Sequence, residues 1–168
     1  MPQSAALIKQ PNSQHCFVCG VKNPYGLNLN FYDDGNGEVT SNYTVPDRYQ
    51  GYPGRVHGGI VASMLDEVLG RTLMIGDPNH FSVSAKLTIR YRKPIPLNTP
   101  LRLVGRIIRR RGNSAVAKAE LRLPDESVAA EAEAILMEAS DFILDEENLD
   151  RLGWKVQPDN SAGRESEK

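Results

Sequence analysis

One long helical pattern surrounded by strand patterns constrains this fold more than any other feature. From about Gly58 to Ile75 the chain places apolar residues at helical spacing, and Gly76 and Pro78 then end the helix. The residues of the apolar arc are Ile60, Val61, Met64, Leu65, Val68 and Leu69. A helix with so broad an apolar surface has to be buried against a second layer.

Strand patterns on both sides of the helix supply that layer. A turn at residues 33–37 separates two predicted strands before the helix, and residues 83–91 alternate between apolar and polar after it. Further strands are expected in hairpins, with short connections between them. The predicted strands are residues 27–32, 38–45, 83–91, 101–111, 114–123 and 128–138. This order predicts an α+β fold, with an antiparallel sheet wrapped around one central helix.

The start of this helix has the character of a catalytic site. His57 is followed by Gly58 and Gly59, so backbone N–H groups at the helix start can approach a substrate oxygen closely. The partial positive charge there stabilises an oxyanion. Asp66 lies two turns further on, at the edge of the apolar arc, and is a candidate base or nucleophile. An ordinary solvated aspartate is the alternative interpretation.

The spacing of these groups predicts an oligomer. Seven residues separate Gly59 from Asp66, which is roughly 10 Å along the helix axis. One carbonyl group cannot easily contact both. We therefore expect a homodimer whose active sites combine the helix start of one subunit with Asp66 of the other, and we expect these dimers to pair into a dimer of dimers.

Motifs on both sides of the helix accompany His57-Gly58-Gly59 and Met64-Leu65-Asp66-Glu67. These motifs are Cys16-Phe17-Val18-Cys19-Gly20, Asn23-Pro24, Gly26-Leu27, Gln50-Gly51-Tyr52-Pro53-Gly54, Ala85-Lys86-Leu87-Thr88-Ile89-Arg90-Tyr91 and Pro94-Ile95-Pro96-Leu97. Together they cover about residues 14 to 138. In this order they resemble the hotdog-fold acyl-CoA thioesterases of the phenylacetic-acid-degradation (PaaI-like) type.

This resemblance implies hydrolysis of an acyl-CoA thioester to a free acid and coenzyme A. The Gly59 N–H, with that of Gly58, would polarise the carbonyl, and Asp66 would activate water or attack directly. Ser84 matches a position that holds the water or orients the aspartate, and an ordinary strand hydroxyl is the alternative. The resemblance also suggests that the Gln50 amide helps to place the water or the carbonyl. His57 is the alternative candidate for the catalytic base, although the resemblance implies a structural role for it.

The charge distribution favours an anionic small molecule over nucleic acid. Residues 1–137 carry a net charge of +4, whereas residues 138–168 carry −5. No nucleic-acid-binding motif accompanies the mildly basic part of the chain. Basic residues that are candidates for the coenzyme A phosphates are Arg90, Arg92, Lys93, Arg109, Arg110 and Arg111. A solvated strand face would also account for them.

Cys16 and Cys19 are the two cysteines of the chain. A structural zinc site would need further ligands, and His57 and His80 are isolated from one another in sequence. A redox motif of the thioredoxin type should lie between a strand and a helix, whereas turn residues follow Cys19. We interpret both cysteines as structural thiols in a lid-like leader and predict no metal, with metal and redox roles as the alternatives.

The expected organisation is a flexible tail at residues 1–12, a hotdog domain at residues 13–138 that includes the leader, and an acidic, partly disordered tail at residues 139–168. A short docked helix is possible at about residues 145–152. The sequence shows neither an apolar run long enough to span a bilayer nor a signal-peptide pattern, so we expect a cytoplasmic protein with no membrane partner. A non-hydrolytic acyl-CoA binding or sensing module and a hotdog hydratase are the alternative functions. We expect no cofactor beyond the coenzyme A of the substrate.

Overall fold

The computed structural model describes residues 6–139 and 145–159. The helices in these residues are α1 (Gly58–Arg71) and α2 (Glu146–Arg151), and the strands are β1 (Ile8–Lys9), β2 (Tyr32–Asp33), β3 (Glu38–Thr44), β4 (Ser82–Tyr91), β5 (Pro100–Arg111), β6 (Ser114–Arg122) and β7 (Val128–Glu138). These strands form one antiparallel sheet in the order β1-β2-β3-β5-β6-β7-β4, and α1 packs against β3 to β7. The predicted α+β arrangement around one long central helix is confirmed.

Small residues on the sheet allow α1 to lie close to it. The apolar arc of the helix is buried apart from Ile60, which is half-buried, and β6 and β7 meet it largely with alanines, among them Ala117 and Ala134. At Gly105 of β5 an added Cβ would lie 3.0 Å from the carbonyl oxygen of Val68. A side chain at this position would push the helix away from the sheet, so glycine is needed there.

The connection from β4 to β5 differs from the predicted hairpin. β4 pairs with β7 at the edge of the sheet, while β5 pairs with β3 and β6. The chain crosses between them through residues 92–99, where Pro94 and Pro96 cannot donate ladder hydrogen bonds. The hairpins β5–β6 and β6–β7 form as predicted, but β4 is an edge strand.

A β-bulge in β4 changes which of its residues face the helix. Ser84 pairs with Leu136, and the register then shifts so that Lys86 pairs with Ile135 and Leu87 with Ala134. Because Leu136 and Ala134 are both buried, Ser84 and Leu87 lie on the same, helix-facing side. Strict alternation had predicted opposite faces for these two residues, and this prediction is wrong because Ala85 is the extra residue of the bulge.

The leader (residues 13–26) pairs with the segment that follows it. The N–H groups of Leu27 and Leu29 donate to the carbonyls of Phe17 and Val18, both at 2.8 Å. The strand predicted at residues 27–32 is therefore largely irregular, because its backbone pairs with the leader, and only Tyr32–Asp33 joins the sheet.

Part of the predicted N-terminal tail is ordered. β1 pairs with β2, and the side chains of Gln10 and Asn12 are buried. The Asn12 amide donates to the carbonyls of Cys19 (2.8 Å) and Leu29 (2.9 Å). The prediction of a flexible tail is wrong for residues 8–12, because these contacts fix them to the leader. Residues 1–5 lie outside the described residues.

The helix predicted at about residues 145–152 corresponds to α2. The Asp145 carboxylate accepts the Asn148 N–H at 2.8 Å and caps the helix. Beyond it, Trp154 packs on Phe81, and Asp159, in the stretch predicted to be disordered, accepts a hydrogen bond from Lys9 at 2.7 Å. The apolar residues 142–144 and the end of the tail, residues 160–168, lie outside the described residues. No helix in the described part of the chain is both long and apolar enough to cross a membrane.

Candidate active site

The start of α1 leaves one backbone donor available. The His57 Nδ1 accepts the Gly59 N–H at 2.9 Å, so His57 is the N-cap of the helix. The Gly58 N–H has no hydrogen-bond partner within the described residues. The Gly59 N–H, which was the first candidate to bind the substrate oxygen, is therefore occupied by His57. The Gly58 N–H is open to a ligand.

Asp66 and Ser84 are brought together across the helix–sheet contact. The Ser84 hydroxyl donates to the Asp66 Oδ1 at 2.7 Å. Asp66 is half-buried at the edge of the apolar arc, as its helical position predicted. The β4 bulge contributes to this contact, because it turns Ser84 toward α1. The hydrogen bond holds the carboxylate in one orientation.

The helix start and Asp66 do not meet within one chain. They are separated by eight residues, or about 12 Å of helix. They also line different cavities. The cavity beside Asp66, of about 390 Å³, includes Gly70, Met74 and Ser84, whereas Gly58 lines a separate groove of about 490 Å³.

The groove beside Gly58 contains residues that the sequence analysis had not assigned to a site. The Tyr91 hydroxyl donates to the Gly58 carbonyl at 2.8 Å. Tyr52 and Arg55 line the same groove, together with the predicted Arg92 and Lys93. Tyr52 and Arg55 lie shortly before the helix start in sequence, and this proximity could have identified them as candidate site residues. The groove thus combines a free backbone donor with three basic side chains.

The six candidate phosphate ligands do not form one cluster. Arg92 and Lys93 lie at the groove, where Arg92 also donates to Glu131 at 2.6 Å and lowers the pKa of that carboxyl group. Arg90 lies in a different cavity, among Thr88, Arg106 and Lys118. Arg109, Arg110 and Arg111 pair with the start of β6, at the end of the sheet opposite Tyr91.

Gln50 lies in the loop before the helix. Its side-chain oxygen accepts the Gly54 N–H at 2.9 Å, and its backbone forms a bridge with Val56. The amide oxygen therefore closes the loop that leads into His57, which leaves the NH₂ group for a ligand.

Helical spacing makes Glu67 and Arg71 an i,i+4 pair and predicts that it lies on the solvent side of the helix, but the pair is buried at its arginine end. The Arg71 side chain is 2% exposed, and its Nε and Nη2 donate to the Glu67 Oε1 at 3.1 and 2.9 Å. Its guanidinium group also packs over the rings of Phe31 and Trp154. The prediction of a solvent-facing pair is wrong because both terminal segments fold over this turn of the helix.

The family comparison agrees with this geometry. The thioesterase superfamily model matches residues 53–130, a range that begins before the helix start and includes Asp66 and Ser84. The chain is thus similar to the thioesterase superfamily over this range, which is slightly less than half of its length. The predicted resemblance is confirmed at the level of this superfamily.

Individual relatives cover parts of the chain. An uncharacterized mitochondrial protein of Candida albicans is 31% identical over 91 residues, which are 54% of this chain and 41% of that protein. A solved thioesterase superfamily protein is 31% identical and has a TM-score of 0.70, over 74% of this chain and 61% of that one. This chain thus spans less than two thirds of the length of either protein.

Two bacterial structures share the fold. A Streptococcus mutans protein bound to acetyl-CoA is 20% identical, with a TM-score of 0.61 over 67% of this chain and 89% of that one. A Ralstonia eutropha phenylacetic acid degradation-related protein, described as a putative thioesterase, is 25% identical, with a TM-score of 0.59 over 66% of this chain and 85% of that one. Both resemble the central helix and sheet of this chain.

Proposed function

We propose that this protein hydrolyses an acyl-CoA thioester to a free acid and coenzyme A. The observation that carries the proposal is the Asp66 carboxylate, which is oriented by Ser84 on the central helix of a thioesterase superfamily fold. The acetyl-CoA bound to the Streptococcus mutans protein of the same fold supports coenzyme A as the carrier.

The Gly58 N–H at the helix start stabilises the oxyanion in this proposal. It is the free donor in the first turn, and the Gly59 N–H joins it when His57 releases its cap. Arg55, Arg92 and Lys93 line the same groove and bind the coenzyme A phosphates. We assign His57 to positioning, since its Nδ1 lone pair is used in the cap.

Asp66 acts on the carbonyl from a second subunit. As a base, it takes a proton from water, and the hydroxide adds to the carbonyl carbon. The tetrahedral intermediate then expels the coenzyme A thiolate, which takes up the proton. As a nucleophile, the carboxylate itself adds and forms a mixed anhydride that water hydrolyses. A burst of coenzyme A ahead of free acid in rapid-quench kinetics would identify the second route.

The test is a panel of acyl-CoA substrates with a thiol reagent and parallel measurement of free acid. We expect thiol and acid in equal amounts at steady state. Binding without thiol release would identify a non-hydrolytic acyl-CoA module, and a change in the acyl chain without thiol release would identify a hydratase. Either result would overturn the proposal.

A further inference from the structure

A tight turn holds the two cysteines next to each other. The Gly20 N–H donates to the Cys16 carbonyl at 2.9 Å and closes the turn. An added Cβ at Gly20 would lie 2.2 Å from that oxygen, so the turn requires glycine. The sulfur atoms of Cys16 and Cys19 lie within 4.8 Å of each other. Neither thiol takes part in the proposed hydrolysis.

The two thiols differ in environment. The Cys16 Sγ is half-buried and accepts the N–H groups of Val18 (3.3 Å) and Cys19 (3.4 Å). Cys19 is buried in the core, with 1% of its surface exposed. An accessible sulfur that accepts backbone N–H groups favours a thiolate, whereas a buried neighbour stays protonated until it is needed. This asymmetry is typical of a reactive and a resolving cysteine.

Electrostatics support the same division. The neighbouring Cys19 thiol lowers the pKa of Cys16 to about 7, and the backbone N–H groups of Cys19 and Val18 add to the effect. Burial opposes it, as does the Glu67 carboxylate, whose Oε2 lies 3.9 Å from the Cys16 Sγ. The adjacent Cys16 sulfur, together with burial, raises the pKa of Cys19 far above its ordinary value. Arg71 favours the Cys19 thiolate only weakly against these effects.

We propose that Cys16 and Cys19 form a redox-active dithiol that reacts with small disulfides of the glutathione class. The Cys16 thiolate attacks one sulfur of the disulfide, and its S–S bond breaks to release one thiolate. The Cys19 thiol loses its proton to water and attacks the Cys16 sulfur, which releases the second thiolate. The protein dithiol is oxidised to a disulfide by two electrons, and the small disulfide is reduced to two thiols.

The same cluster favours a dithiol over a metal site. The Glu67 carboxylate lies near both sulfurs and is the third donor of the cluster. It already accepts two hydrogen bonds from Arg71, whose permanent positive charge opposes a cation at this position. Within the described residues the cluster offers three donors, whereas structural zinc sites use four.

The experiment incubates the reduced full-length protein with oxidised glutathione, followed by acid quench and mass spectrometry of the intact chain. The wild type should lose both free thiols and carry no lasting adduct. The Cys19→Ala variant should retain one glutathionyl group, located on Cys16. In the Cys16→Ala variant, Cys19 should react at least about 50-fold more slowly at pH 7, which is the ratio of thiolate fractions for a pKa of about 7 and the ordinary 9.0. The double variant, without thiols, is the matched control.

Several results would overturn this proposal. The first is that the wild type keeps both thiols, and the second is that the glutathione adduct forms as fast on Cys19 as on Cys16. The third is that the purified protein binds stoichiometric zinc and loses it in the Cys16→Ala variant. Because Cys19 is buried, Cys19→Ser replaces Cys19→Ala if the latter does not fold. Early acid quench of the wild type detects the mixed disulfide without any substitution. No acyl-CoA is used, so failure here is independent of the proposed hydrolysis.

Discussion

At the scale of single residues, Asp66 has the chemistry that the proposed reaction needs. Asp66→Asn keeps the volume and the Ser84 contact but removes the charge. Turnover should fall at least about a hundredfold, the lower end of what a positioned acid–base group supplies. Acyl-CoA affinity should change little, and the melting temperature should hold or rise. Steady-state kinetics and thermal melts provide the measurements.

Glu133→Gln is the matched control for this substitution. Glu133 lies on the exposed side of β7, where its carboxylate meets Lys118 at 3.5 Å. An exposed pair of this kind contributes little to stability, and turnover should stay near the wild-type value. Near-normal turnover in Asp66→Asn, combined with complete loss in a folded His57→Ala, would instead identify His57 as the base.

The Cys16 thiol gives a pH prediction at the same scale. The thiolate fraction rises with pH, so the rate of alkylation by iodoacetamide should rise through a midpoint near pH 7 and level off above it. In Cys19→Ala the midpoint should move upward, because the neighbouring thiol that lowers the pKa of Cys16 is lost. The opposing Glu67 and the neighbouring Arg71 remain in both proteins. A wild-type rate still rising steeply at pH 9 would contradict the lowered pKa.

At the scale of elements, the β4 bulge determines which side of the strand Ser84 occupies. Deletion of Ala85 removes the extra residue and keeps the pairing of Ser84 with Leu136. Deletion of Thr88, in the regular part of the strand, shifts every preceding residue to the other face. Thermal melts should therefore show a much smaller loss for the Ala85 deletion. Equal losses would contradict the assigned bulge.

The contact made by Ser84 can be tested separately. Ser84→Ala removes a hydrogen bond to a charged group, a type worth about 1.5 to 3 kcal/mol. If the contact forms fully in the transition state, turnover should fall about 10- to 100-fold, less than in Asp66→Asn. Ser63→Ala is the control, since its hydroxyl donates to the Gly59 carbonyl within the same helix at 2.8 Å. An unchanged turnover in Ser84→Ala would remove Ser84 from the site.

Arg71 connects α1 to both terminal segments, because it packs against Trp154 and donates to the Pro11 carbonyl. Arg71→Ala leaves Glu67 without its partner and should lower the free energy of unfolding by about 3 kcal/mol. Arg106→Ala, which removes an exposed pair with Glu38, should change it by less than about 0.5 kcal/mol. Urea unfolding compares the two. Similar effects would show that the Arg71 contacts contribute little.

At the scale of the whole molecule, the separation of Gly58 and Asp66 predicts that catalysis needs two subunits. Sedimentation should show at least a dimer, and an active monomer would contradict the composite site. Mixing inactive Asp66→Asn with inactive Gly58→Val should restore about a quarter of the wild-type activity, because half of randomly assembled dimers are hybrids with one intact site. Neither variant mixed with itself should recover.

Local sequence patterns were enough to predict the central helix, most of the strands and the position of Asp66 at the edge of the apolar arc. Those features follow from local periodicity and from glycine and proline at element ends, which act through nearby residues. The pairing of Asp66 with a hydroxyl eighteen residues later came only from the family resemblance.

The remaining features depend on contacts between distant segments and emerged only in the folded chain. The tertiary structure placed β4 beyond β7, introduced the bulge that turns Ser84 inward, and buried Arg71 beneath both termini. It also showed that His57 occupies the Gly59 donor and that Cys16 and Cys19 have unequal surroundings. Register, burial and hydrogen-bond partners depend on which segments meet in space, and a local pattern carries no information about that choice.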